Sequence, residues 1–250
     1  MPRKVARQEC NGATEQTLQL ELEGFSPRED DSDGIAILLH HIFPDGSAVS
    51  AKDLANYIVS HNTVGTVVKP AEDESEEEED EEDPQEIVFG LTTVVDLSLG
   101  ECEKHAVVKH IRDFLLDIIH DSAPSSKKDG LIELFGSSAG SRIFLLLNER
   151  FENLPLSICA EAVSSLPSEL KEAKLTPTHF LLLSRAFRSE SSIEYAYPEY
   201  EHIRPFSLFD LEAPVKAASV HSDDDCNTYV VLVIKIDRFP EVLDALRAHL

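Results

Sequence analysis

The stretch whose residue types and spacing spell a reaction is Gly136-Ser137-Ser138-Ala139-Gly140, which fits the Gly-x-Ser-x-Gly pattern of a nucleophile elbow. In that chemistry a serine hydroxyl, here Ser138, attacks an acyl carbon while a histidine takes its proton and an acid orients the histidine. Asp210 and His221 follow in the order an α/β-hydrolase would use. The elbow needs a strand directly before it and a helix directly after. Here the clear strand, Ile143 to Leu147, comes after, and the short run before the motif, Leu131 to Phe135, is ambiguous. Five residues rich in Gly and Ser match easily by chance, so a flexible turn is the preferred reading. A serine hydrolase using Ser138 stands as the remote alternative, and the expectation is no catalytic residue.

Other chemistry is not spelled. There is no Gly-x-Gly-x-x-Gly, no Gly-Lys-Ser/Thr phosphate loop and no His-Glu-x-x-His. Cys10, Cys102, Cys159 and Cys226 stand apart, so they read as reduced thiols rather than a metal site or a disulfide framework. His40 and His41 face two directions on a helix and do not make a metal pair. An acyl-CoA site would need a Gly-rich turn leading from a strand to a helix N-terminus, and the one Gly-rich turn lies on the wrong side of its strand. No metal and no cofactor are expected.

The elements that would position any site are read from apolar period. Arg142 to Pro155 is the centre: Ile143 to Leu147 is apolar without alternation, which suits a strand covered on both faces. Glu149, Arg150 and Phe151 follow it. Charges beside a core pair with each other or with backbone, so all three read as structural, Glu149 and Arg150 as an ion pair. Further strands are expected at Thr17–Glu23, Val64–Val68, Glu86–Leu97, His179–Phe187 and Thr228–Ile236. Helices are expected after Asp31-Ser32-Asp33, from the Ser50 cap, over Glu101–His120 as the longest, over Ser157–Ala173 with an interruption near Pro167, and at Glu241–Leu250. Leu131–Phe135 suggests a short helix after a Pro-Ser-Ser-Lys-Lys-Asp-Gly loop. Residues 189–227 read as irregular, with Tyr195, Tyr197, Tyr200, Phe206 and Phe209 plugging the edge of a core. The class is α/β: one domain on a mixed sheet over 17–250, with a tail at 1–16 and an acidic loop at 70–85.

Charge narrows function further. Against 22 basic residues stand 47 acidic ones, a formal net charge of −25. Phosphate backbones repel such a chain, so direct nucleic-acid binding is not expected, and the natural partners carry positive charge. No apolar run approaches a membrane span, and no secretory signal opens the chain. Arg3, Lys4 and Arg7 make a weak nuclear signal at best. The acid concentrates in Glu72, Asp73, Glu74, Glu76, Glu77, Glu78, Glu79, Asp80, Glu81, Glu82 and Asp83, eleven acids in twelve positions around Ser75. Self-repulsion predicts disorder there, between two hairpin strands. The functional reading is a clamp for a basic surface and the bland one a solubilising insertion. Ser75 sits in a context an acidophilic kinase would favour.

Several stretches in order resemble the BCCIP family: Asp33-Gly34-Ile35 with Leu38-Leu39, Val64-Gly65-Thr66-Val67-Val68-Lys69 before the acidic run, and Phe89-Gly90 after it. Leu145 to Pro155 is the most specific piece, extended by Glu169 to Ala173 and Phe180 to Phe187. The resemblance implies a fold similar to the GCN5-related N-acetyltransferases without a cofactor site, and no catalysis. It further implies a nuclear protein that shuttles to the cytoplasm; a monomer is expected. Its implied partners are a basic ribosomal protein of the large subunit, a phosphoinositide kinase, and DNA-repair and cell-cycle proteins, for which it would serve as chaperone, export adaptor or scaffold. The chain departs from the animal pattern after Phe187, where a lysine-rich insertion is lacking, and the last third has no tryptophan.

Overall fold

The structure is a computed structural model describing residues 22–61, 63–71, 87–136, 141–151, 154–215 and 226–248. Its strands are β1 (Leu22–Phe25), β2 (Gly65–Pro70), β3 (Gly90–Asp96), β4 (Ile143–Arg150), β5 (His179–Arg188), β6 (Ile193–Tyr195), β7 (Phe209–Pro214) and β8 (Thr228–Lys235). Its helices are α1 (Ser32–Leu39), α2 (Ala51–His61), α3 (Leu99–Lys104), α4 (Ala106–Asp121), α5 (Ser126–Gly136), α6 (Leu156–Glu172), α7 (Glu199–Ile203) and α8 (Phe239–Ala248). The strands form one mixed sheet in the order β1-β2-β3-β4-β5-β8-β7, with β6 attached to β5. Among the described residues only β4 and β5 run parallel; every other pairing is antiparallel.

The apolar run at Ile143 does form the central strand, and all eight residues of β4 are buried. Its side chains alternate between two cores, as a strand covered on both faces must. Ile143, Leu145 and Leu147 join Ile35 and Leu38 of α1, Leu54 and Ile58 of α2, Ile111 and Leu115 of α4 and Leu131 of α5. Phe144 and Leu146 join Val163 and Leu166 of α6, Tyr200 and Ile203 of α7, and Val242 and Leu246 of α8. β5 and β8 divide their residues in the same way. The result is the mixed α/β, single-sheet architecture expected. β2 and β3 pair across the acidic run, while residues 72–86 themselves lie outside the described residues. The tail at 1–16, with Cys10, is outside them too.

Four expectations need correction. The helix over Glu101–His120 breaks at His105, whose backbone is extended (φ −128°, ψ 111°), and the longest helix is α6, at 17 residues against 16 for α4. No Gly or Pro marks the break. It turns the His105 ring onto Tyr57 and His61, with centroids 5.0 and 4.6 Å apart. The helix containing Leu131–Phe135 starts at Ser126, so the Ser-Lys-Lys-Asp-Gly stretch is helical. α6 runs unbroken through Pro167, because Leu166 and Leu170 are buried in the second core and packing outweighs one lost hydrogen bond. Within 189–227 stand β6, α7 and β7, elements too short to show a period. The aromatics there do plug a core, Tyr197 and Tyr200 being buried.

β2 opens on Gly65 at φ +139°, where an added Cβ would lie 2.7 Å from Thr92 O and from the Thr93 side chain. Strain and overlap with backbone both oppose any larger residue. Gly65→Ala is expected to lower unfolding free energy by about 2 kcal/mol or more in chemical denaturation. Gly100→Ala, where a Cβ meets nothing within 4 Å, is the control and should leave the midpoint unchanged or slightly raised.

Candidate functional site

The parallel pair holds for four residue pairs only, Ile143↔His179 to Leu146↔Leu182. After that β4 and β5 part. β8 occupies one edge of β5 as far as Ala186, so β6, which pairs with Ala186 to Arg188, must lie on the edge β4 has left. The chain after β6 then fills the gap, starting with Ala196 N–H donating to Arg185 O at 2.9 Å. This wedge is where the charged end of β4 finds its partners.

Glu149 and Arg150 are neighbours on a strand and leave it in opposite directions, so they do not pair with each other as the sequence suggested. Arg150 makes a two-pronged ion pair with Glu199 of α7, Nη1 to Oε1 and Nη2 to Oε2 at 3.0 Å, with both side chains buried. Its guanidinium lies over the Tyr197 ring, 4.5 Å from the centroid. Tyr197 Oη accepts from Arg150 N–H at 3.2 Å and stands 2.8 Å from Arg150 O and 3.1 Å from Glu149 Oε2. A phenol has one proton and cannot give it to both oxygens. The conflict resolves when Glu149 is itself protonated: it donates to Tyr197, and Tyr197 donates to the carbonyl. Burial pushes Glu149 up to about 8, against the opposing pull of Tyr197 and Arg150, so the carboxyl is largely neutral at pH 7. Burial, then the Glu149 charge, raises the Tyr197 phenol well above its ordinary range. Phe151 leaves the strand edge-on to Phe89, with centroids 5.8 Å apart.

Glu149, Arg150, Tyr197 and Glu199 are each engaged by another residue of this cluster. The void beside it, lined by Leu146, Asn148, Glu199 and Tyr200, measures about 20 Å³, room for roughly one water and for no organic cofactor. No set of His, Cys, Asp and Glu side chains among the described residues has the arrangement of a metal site. The cluster therefore acts as a clamp that closes the wedge. The serine motif fares no better, since it follows helix α5 and precedes strand β4, the reverse of an elbow. Ser138 and His221 lie outside the described residues. Asp210 is engaged by Lys127 and Arg204; burial tends to raise its carboxyl, but these two partners outweigh it and hold it below the usual range. The acidic residues Glu72 to Asp83 and Ser75 are likewise outside.

Two open grooves border the fold. One, of about 760 Å³, lies at the start of β4 between Arg112 and Arg142. Arg112 donates to Leu97 O and Phe135 O, and Arg142 pairs with Asp96 at 2.7 Å. The other, of about 910 Å³, lies along α1, the 40–50 loop and the start of α2. Nothing in the residue pattern points to Glu199 as the partner of Arg150. For the second groove the available signal was Ile37, an apolar residue off the buried stripe of Ile35, Leu38 and Leu39.

Known proteins resemble the chain over most of its length. The BCCIP family profile matches residues 17–213. The "Protein BCCIP homolog" of Drosophila melanogaster is 28% identical over 70% of the chain, and "BRCA2 and CDKN1A-interacting protein" of Bos taurus is 30% identical over 68%. The matched regions span 60% and 56% of those relatives' own lengths. Among solved structures, BCP1 from Saccharomyces cerevisiae superposes with a TM-score of 0.65 at 13% identity, covering 96% of this chain and 93% of that one. A mosquito arylalkylamine N-acetyltransferase-like structure gives 0.46 at 8% identity.

The clamp predicts a pH dependence. A carboxyl whose pKa is raised on folding favours the native state at low pH, and that advantage is lost as pH rises from about 4.5 through about 8. Glu149→Gln keeps a donor for Tyr197 and cannot ionise. Thermal melts should therefore show the variant gaining on the parent chain steadily between pH 5 and 8.5. A constant difference across that range would mean that Glu149 is charged throughout.

Proposed function

Since the chain belongs to the BCCIP family, we propose that it is a non-catalytic binding protein that holds a basic ribosomal protein of the large subunit before assembly. The observation that carries this reading is charge: 47 acidic residues against 22 basic ones. A ribosomal protein awaiting its RNA exposes Lys and Arg surfaces that adhere to any polyanion. A folded acidic protein screens those surfaces and releases its cargo when RNA competes. In this scheme the domain supplies specificity, and the eleven acids between Glu72 and Asp83 supply encounter rate. Residence in the nucleus, shuttling to the cytoplasm, and service as an export adaptor for a phosphoinositide kinase belong to the same reading. A scaffold role in DNA repair and cell-cycle control is the second. It is favoured by the name of the bovine relative, which interacts with BRCA2 and CDKN1A.

Co-expression with a basic large-subunit ribosomal protein, followed by size-exclusion chromatography at low and high salt, separates the readings. A one-to-one complex that survives 1 M salt, where the Debye length is about 3 Å, is the expected result. A complex seen only at low salt would reduce the interaction to polyanion attraction, and none at all would move the assignment to the scaffold. Replacing the eleven acids by Asn and Gln should slow association at low salt by about tenfold or more and flatten its salt dependence, with the melting temperature unchanged. An unaltered association rate would make the acidic run a solubilising insertion only.

A further inference from the structure

We propose that the groove along α1 and the 40–50 loop is the docking face, and that its occupant is a Lys/Arg-rich segment of the partner carrying one apolar anchor. The inference rests on the basic-partner reading above and adds where that partner sits. Singly exposed apolar side chains are ordinary on protein surfaces. Ile37 differs because of its setting. It is 59% exposed, the most exposed of the large apolar side chains among the described residues, and it borders a concave surface backed by the buried Phe43 and Val49. An apolar anchor seated there would be removed from water on several sides.

The rim decides the charge of what enters. Asp33, Asp45 and Asp53 stand exposed around the groove; Lys52, on the same rim, is paired with Asp33, and of the lining histidines His40, His41 and His110, His40 lies 3.2 Å from Asp45, which leaves the rim acidic. Cationic side chains flanking an anchor meet carboxylates there. The 760 Å³ groove, with Leu99 exposed beside it, is bordered by Arg112, which donates to two carbonyls, and by Arg142, which is paired with Asp96, so its balance is positive rather than negative. A basic segment is thus steered to the first groove rather than the second.

The groove is also preformed. Gly46 takes φ +83° to turn the loop, Ser47 Oγ donates to Val49 O at 2.6 Å, and the His40 ring accepts from Asp45 N–H at 3.2 Å. Beneath it, Arg185 donates to His41 O at 3.3 Å and the His41 ring lies 3.4 Å from Tyr197 Oη, tying the loop to the buried clamp. A surface held in place loses little entropy when a ligand arrives.

The test uses the full chain and two fluorescein-labelled peptides, each with six lysines on either side of a central residue, Phe in one and Gly in its twin. Fluorescence anisotropy should show the Phe peptide binding about tenfold tighter than the twin, a ratio that isolates the anchor from general charge attraction. Ile37→Gln, at an exposed position that does not endanger folding, should bring the ratio to about one. Phe187→Gln, at another exposed apolar residue, should leave it intact. Equal binding of both peptides to the parent chain, or an unchanged ratio in Ile37→Gln, overturns the docking face while leaving the basic-partner reading standing. Failure of both peptides to bind at low salt overturns both. Sedimentation as a dimer that Ile37→Gln splits would assign the groove to a second copy of this chain and overturn the proposal.

Discussion

Where β4 and β5 part, two strand edges lose their partner in the middle of a sheet, and each backbone group exposed there must be satisfied or the core opens. The protein answers with a segment from far along the chain. β6 takes the last three residues of β5, and Tyr197 both accepts from Arg150 N–H and faces its carbonyl. The Arg150–Glu199 pair then fixes α7 against the end of β4. Buried ion pairs add little net stability over apolar substitutes, but removing one partner costs about 3–5 kcal/mol because a charge is left without its counterpart. Such a pair specifies an arrangement more than it strengthens one. What it specifies here is a wedge that is shut.

Glu149 completes that arrangement by being neutral. With Arg150 matched to Glu199, a second carboxylate in the same enclosed space would bring uncompensated charge, and burial makes it cheaper to keep the proton. Charge is thus closely balanced inside, as it is for Lys69 on Asp31 in the β1–β2 region. On the surface many cations are also engaged, Lys127 and Arg204 with Asp210 and Arg188 with Glu212.

The strands were legible because burial on both faces writes a continuous apolar run, as in β4, β5 and β8. The clamp was half legible. Glu149 and Arg150 announced buried charge, but their partners at Tyr197 and Glu199 lie nearly fifty residues on, in a stretch whose elements are three to six residues long and leave no period. The start of α5 was hidden for another reason. Ser126 to Gly130 has the composition of a loop, yet Gly130 passes so close to β7 that a Cβ would lie 2.7 Å from the Phe209 ring. A glycine that weakens the helix locally is required by a contact with a strand eighty residues away. The break at His105 likewise answers to Tyr57 and His61, not to any local signal.

A closed wedge and a preformed groove are two sides of one construction. His41 reaches down from the 40–50 loop toward Tyr197 while its carbonyl accepts from Arg185 of β5, so the loop that shapes the groove is held by the residues that shut the sheet. In this fold the polar groups at the end of the central strand are engaged with one another. They fix the geometry of a surface one layer above, and that surface has the apolar wall and carboxylate rim a cationic segment needs. Burying a neutral carboxyl and an ion pair is costly for a small gain in stability. The expenditure is intelligible if a rigid outer face is what the clamp provides, because a binding surface discriminates among similarly charged partners by shape, long-range charge attraction being common to them all.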